Sequence, residues 1–353
     1  MLKTILITAS GFCVLIATAF FFLVHKWSNT PYGKLDPYLA VPFKLLELID
    51  GSSKKTDKEI LDEFYDPASM NKMRKDVQNG AFLTSKKADF SGKTIDKKIS
   101  TDETDIPIRI YTPKGDGPFP LLVYFHGGGF AFGNIAFADN VCKSISEKAS
   151  IIVLSADYRL APEHPFPAGL TDACSVVTWA TKNMEAINAM PGKIAVAGDS
   201  SGGNLAAAIS HKFSDDNKEL IGLQVLIYPV LNLSNLNTNS YNCFAEGYGL
   251  TRRQMSHLIK VYIKNQSDLK NPYISPLLDE NFNNLPPTLI ISAEFDPLRD
   301  EGELYSKKLK ESGIPVDYIR YNTMAHGFIT ANRLVSEAED AIDDIVRGIQ
   351  RYL

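Results

Sequence analysis

The sequence is poor in the residues that mark several protein classes. It holds four cysteines in 353 residues, and Cys13 sits inside an apolar N-terminal run, leaving Cys142, Cys174 and Cys243 in the body. An odd number argues against a full disulfide framework, with one bridge among the three left open. No pair has the short spacing of a zinc site, so buried packing cysteines are expected and no metal. The net charge is only −4 and no basic face is clustered, which gives no reason to expect a nucleic-acid partner. No segment repeats at a fixed period, which sets solenoids and propellers aside. With six histidines in all, chemistry that needs an imidazole has few sources.

What is present is ordinary for a globular chain, at 44% hydrophobic and 22% charged residues. The first stretch is the exception. Thr4 to Val24 is 21 residues without a charge, bounded by Lys3 and by His25-Lys26. As a helix it spans about 32 Å, the thickness of a hydrocarbon core of roughly 30 Å. A single-pass membrane anchor within residues 1–29 is therefore expected. The rival is a cleaved signal segment and a secreted protein, because Ala17-Thr18-Ala19 resembles a cleavage site; against it, the apolar run continues through Phe20 to Val24. Flanking charge at Lys3, Lys26 and Lys34 is too balanced to orient the segment.

Beyond residue 95, apolar runs alternate with helical patterns, which predicts a mostly parallel sheet covered on both faces. Two antiparallel opening strands are expected near Lys97–Ser100 and Ile106–Thr112. The parallel set reads Leu121–Phe125, Ile151–Ala156, Ile194–Gly198, Leu223–Tyr228, Thr288–Ala293 and Val316–Tyr321. Helices are expected at Asp139–Lys148, Leu170–Lys182, Ser201–His211, Arg299–Glu311 and Arg333–Leu353. Two regions fall outside the alternation. Residues 30–95 carry helix-like apolar spacing at Leu45, Leu46, Leu48 and Ile49 and again at Ile60, Leu61 and Phe64; residues 231–270 hold an Asn/Ser-rich run and a helix expected at Arg252–Lys264. Both read as a helical cap on an α/β domain of residues 96–353, since long insertions beside an active-site edge tend to be lids.

The most informative stretch is Lys193 to Asn204, where an apolar strand runs into a small-residue helix through Gly198-x-Ser200-x-Gly202. A strand turning that sharply into a helix leaves no room for side chains two residues either side, and it presents the serine at a helix N-terminus. Ser201 fits less well as nucleophile, because Asp199 would then replace the upstream glycine. About 70 residues earlier, the strand Leu121–Phe125 enters His126-Gly127-Gly128-Gly129-Phe130. Glycine amides approach a ligand closely, so with the N–H of Ser201 this loop is a candidate oxyanion hole.

A serine nucleophile needs an imidazole base. His25 abuts the apolar segment, His126 belongs to the glycine loop, His164 lies in a Pro-rich turn, His211 ends the helix after the elbow and His257 sits in a polar helix-like stretch. His326 remains, on a loop after a strand. For the acid, Leu289–Pro297 reads as a buried strand ending at Pro297, and catalytic groups collect at strand C-terminal ends. Asp296 is favoured over Glu294, still in the strand, and over Asp300, which opens the next helix. Phe130, Phe132, Phe244 and Tyr273 are candidates for an acyl pocket, with plain packing the alternative at each.

Taken together, His126-Gly-Gly-Gly-Phe130, Asp157-Tyr-Arg-Leu-Ala-Pro-Glu-His-Pro-Phe-Pro-Ala168, Gly198-Asp-Ser-Ser-Gly-Gly203, Asn271-Pro-Tyr-Ile-Ser-Pro276, Asp296-Pro-Leu-Arg-Asp300 and His326-Gly-Phe328 make the chain similar to one family. It resembles the hormone-sensitive-lipase-like branch of the α/β-hydrolases, over about residues 100 to 330. The resemblance implies an α/β-hydrolase fold with Ser200 as nucleophile, Asp296 as acid and His326 as base. It also implies an oxyanion hole from Gly127 to Gly129, chiefly the second and third glycines, plus Ser201. Such enzymes usually carry alanine at the position of Ser201. The expected activity is hydrolysis of short to medium acyl esters, small-molecule substrates, without a cofactor. The alternatives are an amide or xenobiotic deacetylase of the arylacetamide type, or a non-catalytic receptor on the same scaffold. Oligomeric state is not legible in the sequence.

Overall fold

The structure is a computed structural model that describes residues 21–49, 54–192, 194–216 and 220–353. Its centre is an eight-stranded sheet. In chain order the strands are β1 (Lys93–Ser100), β2 (Asp105–Thr112), β3 (Leu121–Phe125), β4 (Ile152–Ala156), β5 (Ile194–Asp199), β6 (Ile221–Ile227), β7 (Thr288–Phe295) and β8 (Val316–Ala325). Across the sheet they run β1-β2-β4-β3-β5-β6-β7-β8. β1 pairs antiparallel with β2, and β2 antiparallel with β4. Every other neighbouring pair is parallel.

Successive side chains of a strand point to opposite faces, and here both faces are covered. Leu121, Val123 and Phe125 belong to one core with helices α5 (Ala168–Lys182), α6 (Ser201–Asp215) and α9 (Arg299–Glu311). Leu122 and Tyr124 belong to the other, with α4 (Ile135–Ala149) and α10 (Glu337–Tyr352). All five residues of β3 and of β4 are buried, which is why these strands appear in the sequence as apolar runs interrupted only by Ser155.

Several boundaries differ from expectation, and those of β7 and β8 position the site. β7 runs on to Phe295 and β8 to Ala325, so Asp296 and His326 are the first residues past their strand ends. The last helix begins at Glu337 rather than Arg333, because a short 3-10 turn at Phe328–Thr330 intervenes and Glu337, Glu339 and Asp340 fill the helix's first turn. No disulfide joins Cys142, Cys174 and Cys243.

Ahead of the sheet lie α1 (Pro37–Ile49), α2 (Asp57–Tyr65) and α3 (Pro67–Thr84). Thr56 and Glu59 form a reciprocal capping box at α2, while Asp66 caps α3 with Pro67 in its first turn. From the second region outside the alternation come the short α7 (Asn239–Cys243) and α8 (Arg252–Tyr262), the latter two residues shorter than expected and capped by Thr251 and Gln254. The two regions meet: Asp57 Oδ1 is 3.0 Å from His257 Nε2 and 2.9 Å from Arg253 Nε. The expected membrane segment lies mostly outside the described residues, of which 21–28 are helical. Among the described residues no helix is long and apolar enough to cross a membrane.

Candidate active site

The Gly-x-Ser-x-Gly segment joins β5 to α6 at the carboxyl edge of the sheet. Ser200 sits at φ 56°, ψ −117°, a conformation that costs a non-glycine residue about 1–3 kcal/mol and persists only where surroundings impose it. They do so here. A Cβ on Gly202 would fall 1.9 Å from the Phe125 carbonyl oxygen, and one on Gly198 would fall 2.3 Å from the Gly202 backbone. The Ser200 amide donates to the Ile227 carbonyl at 2.8 Å, which closes the turn onto β6.

His326 reaches this serine from the end of β8. Its Nε2 is 2.9 Å from Ser200 Oγ and its Nδ1 is 2.8 Å from Asp296 Oδ2. A carboxylate only accepts, so Nδ1 carries the hydrogen and Nε2 presents its lone pair to the serine hydroxyl. Asp296 is fully buried, and its other oxygen accepts the Leu298 amide at 2.8 Å. The Tyr228 ring lies 4.7 Å from the imidazole and walls it on one side. The rejected carboxylates are engaged elsewhere: Glu294 pairs with Arg299 and Arg320, and Asp300 accepts the Ser240 amide and pairs with Arg299.

Three other histidines are likewise committed. His126 is buried, stacked on Tyr158 at 4.5 Å, and donates from Nδ1 to the Gly127 carbonyl. Burial pushes its pKa down to about 4, which keeps it neutral near pH 7. His211 bonds the Tyr305 hydroxyl and His257 bonds Asp57.

The glycine loop divides in a way the sequence does not reveal. The amide of Gly127 donates to Asp199 Oδ1 at 2.9 Å, so it is not free to meet a ligand, which corrects its place in the expected oxyanion hole. Among the described residues the amides of Gly128, Gly129 and Ser201 have no protein acceptor. Gly128 at φ 129° and Gly129 at φ 61° hold a backbone that other residues rarely adopt. Beside them a cavity of about 190 Å³ reaches Ser200 and His326. Phe130, Phe132, Leu233 and Leu258 line it.

Phe244 and Tyr273 do not line it. Phe244 follows α7, which Ser240 Oγ pins to the Pro297 carbonyl, and its ring turns into the core 5.7 Å from Phe295. Tyr273 donates to Asp215 on a different surface. Two residues not singled out from the sequence belong to the site. Asp199 accepts both Gly127 N–H and Tyr124 O–H, and burial raises its carboxyl pKa. Its signal was its place inside the elbow. Leu258 faces the cavity along with Met255 and Ile259, an i, i+3, i+4 pattern visible in α8. Among the described residues no group of three His, Cys, Asp or Glu side chains is placed to hold a metal ion.

Comparison with known proteins agrees with this architecture. A family described as having the alpha/beta hydrolase fold matches residues 122–330. The carboxylic ester hydrolase LipN of Mycobacterium tuberculosis is 38% identical over 264 residues, 73% of this chain and 70% of that protein. The ethyl acetate hydrolase of Pseudomonas putida is 30% identical over 325 residues, 90% of this chain and 99% of that protein. Among solved structures, the ester hydrolase EH1AB1 from the Lake Arreo metagenome, complexed with a bipyridine phosphonate derivative, superposes with a TM-score of 0.81. It is 32% identical and covers 89% of this chain and 98% of its own. The chain belongs to the alpha/beta hydrolase fold family, in its hormone-sensitive-lipase-like carboxylesterase branch.

Proposed function

We propose that this protein is a serine carboxylesterase in which Ser200 attacks the ester carbonyl, His326 takes and returns the proton, and Asp296 holds the imidazole. The observation that carries the reading is the unbroken hydrogen-bond run from Asp296 Oδ2 through both nitrogens of His326 to Ser200 Oγ. As Oγ bonds to the carbonyl carbon, its proton passes to Nε2 and the carbonyl oxygen gains negative charge. The amides of Gly128, Gly129 and Ser201 receive that oxyanion at the α6 N-terminus, where each donor is worth about 2.7–4 kcal/mol of barrier. Collapse expels the alcohol with the proton from Nε2. Water then repeats the sequence on the acyl-enzyme and frees the acid.

Ester substrates are favoured over amides by the names of the relatives, and a short to medium acyl chain by the small cavity under Phe130, Phe132 and Leu258. Residues 30–95 and about 231–270 act together as a cap on a hydrolase domain of residues 96–353; the Asp57 bridge to α8 supports that assignment. The uncharged run Thr4–Val24 anchors the protein in a membrane. A panel of nitrophenyl esters of rising length, run beside an acetanilide, tests the substrate class. Ser200→Ala should abolish turnover with the fold intact, and full activity in that variant would end the proposal.

A further inference from the structure

We infer that the outer side of α1, with the C-terminal end of α3, is a docking surface for a phospholipid bilayer that sets the mouth of the Ser200 cavity against the membrane, so that bilayer-dissolved esters enter directly. This rests on the ester-hydrolase reading. The inner side of α1 is accounted for: Leu39 and Ala40 are buried, and Phe43 packs against the backbone at Gly249. A helix on the surface of a soluble protein turns polar residues outward. This one exposes Tyr38 at 65%, Leu45 at 51%, Leu46 at 58% and Leu48 at 76%. At 100° per residue those four fall within roughly 160° of arc, one side of the helix.

A second exposed pair, Phe82 at 49% and Leu83 at 73%, closes α3. Each patch is linked through its neighbours to the cavity lining. Phe43 touches Gly249, next to the cavity residue Leu250; Thr84, next to Leu83, accepts the Arg333 amide three residues beyond the cavity residue Thr330. Apolar clusters of this kind mark interaction surfaces. The chain itself indicates the occupant. The uncharged run ending at Val24 lies 13 residues before Pro37, and the Ser28 carbonyl accepts the Leu35 amide at 2.9 Å, tying the two segments closely. Phe21 and Phe22 are 69% and 64% exposed at the start of the described chain. A segment suited to hydrocarbon, attached by so short a connection, keeps α1 at high effective concentration near the bilayer.

The test uses the full chain in phosphatidylcholine vesicles, with nitrophenyl acetate in the water and the medium-chain nitrophenyl decanoate dissolved in the bilayer. Leu45→Glu/Leu48→Glu should leave acetate hydrolysis unchanged and lower decanoate hydrolysis roughly fivefold or more, since charge is expelled from the interface. A melting curve checks the fold, and Leu48→Trp gives a second readout independent of activity. Its added fluorescence, measured against the unmodified chain, should be quenched by brominated lipid. Equal rates for the charged variant and the parent on both esters, with no quenching, overturn the proposal. So does a dimer that the charged variant converts to monomer, which assigns the face to a second copy. A blue-shifted but unquenched signal assigns it to the chain's own apolar segment and also overturns it. Inactivity of the unmodified chain on both esters counts against ester hydrolysis, while the quenching still decides docking.

Discussion

Asp199 Oδ1 accepts the Gly127 amide at 2.9 Å, so the residue before the elbow serine ties that turn to the glycine loop. The same oxygen accepts the Tyr124 hydroxyl at 2.8 Å. Asp199→Ala leaves both donors buried and unpaired, at a cost of about 1–3 kcal/mol each, and should lower the urea midpoint together with kcat. Asp199→Asn keeps an acceptor and removes the carboxylate that burial disfavours, so it should hold the fold. Equal midpoints for the two variants would show that the tie is without weight.

The acid assignment is tested by contrast. Asp296→Asn lets the imidazole settle in the wrong tautomer, for which a loss of ~10⁴ in kcat is expected. Glu294→Gln breaks only the pairs with Arg299 and Arg320 and should change kcat by no more than about threefold. Steady-state kinetics on one soluble ester separates them, and a reversed order would move the acid role to Glu294.

Two glycine substitutions should differ in kind. In Gly202→Ala the new methyl meets the Phe125 carbonyl at 1.9 Å, backbone that can yield only by shifting β3 or α6. Destabilisation of ~3 kcal/mol or more is expected, read as a lowered melting temperature. In Gly129→Ala the methyl meets the Leu258 side chain at 2.5 Å, which can rotate, and the cost is chiefly the φ of 61°. That variant should fold and lose activity, because a displaced amide no longer aims at the oxyanion.

Glu301 gives a pH prediction with a definite sign. It is fully buried, its Oε2 accepts the amides of Leu231 and Asn232 at 2.6 and 2.8 Å, and burial raises its pKa from 4.5 to about 8. A carboxyl with a raised folded-state pKa holds its proton in the folded chain while the unfolded chain has released it. Its penalty on stability is therefore absent below about pH 4.5 and grows as pH rises towards 8. Glu301→Gln should match the parent near pH 4.5 and melt higher near pH 8, by on the order of 2–5 °C. A difference that is constant across that range would contradict the assignment.

Much of the fold was legible because burial on both faces writes itself locally. β3 and β4 are apolar at almost every position, and the turns after them are marked by glycine or proline. Asp296 stood out because Pro297 stops the strand before it, and His326 because the other histidines had local explanations. Phe244 and Tyr273 were not legible. An aromatic ring after a turn packs equally well in a core, on a surface or in a cavity, and only the docking of α7 on Pro297 sends Phe244 inward. The division among Gly127, Gly128 and Gly129 was hidden too, since three identical residues differ only in what their amides meet.

The sequence by itself determined the run of strands and helices, the elbow and the glycine loop, since each depends on side-chain period or on backbone freedom within a few neighbouring residues. Tertiary structure alone decided which partners meet. Ser200 and His326 are 126 residues apart in the chain, and His326 and Asp296 are 30 apart. Parallel strands end at one edge of the sheet, so β5, β7 and β8 deliver these groups to a common rim. The lengths of β7 and β8, set by pairing with their neighbours, then fix the spacing to within a hydrogen bond.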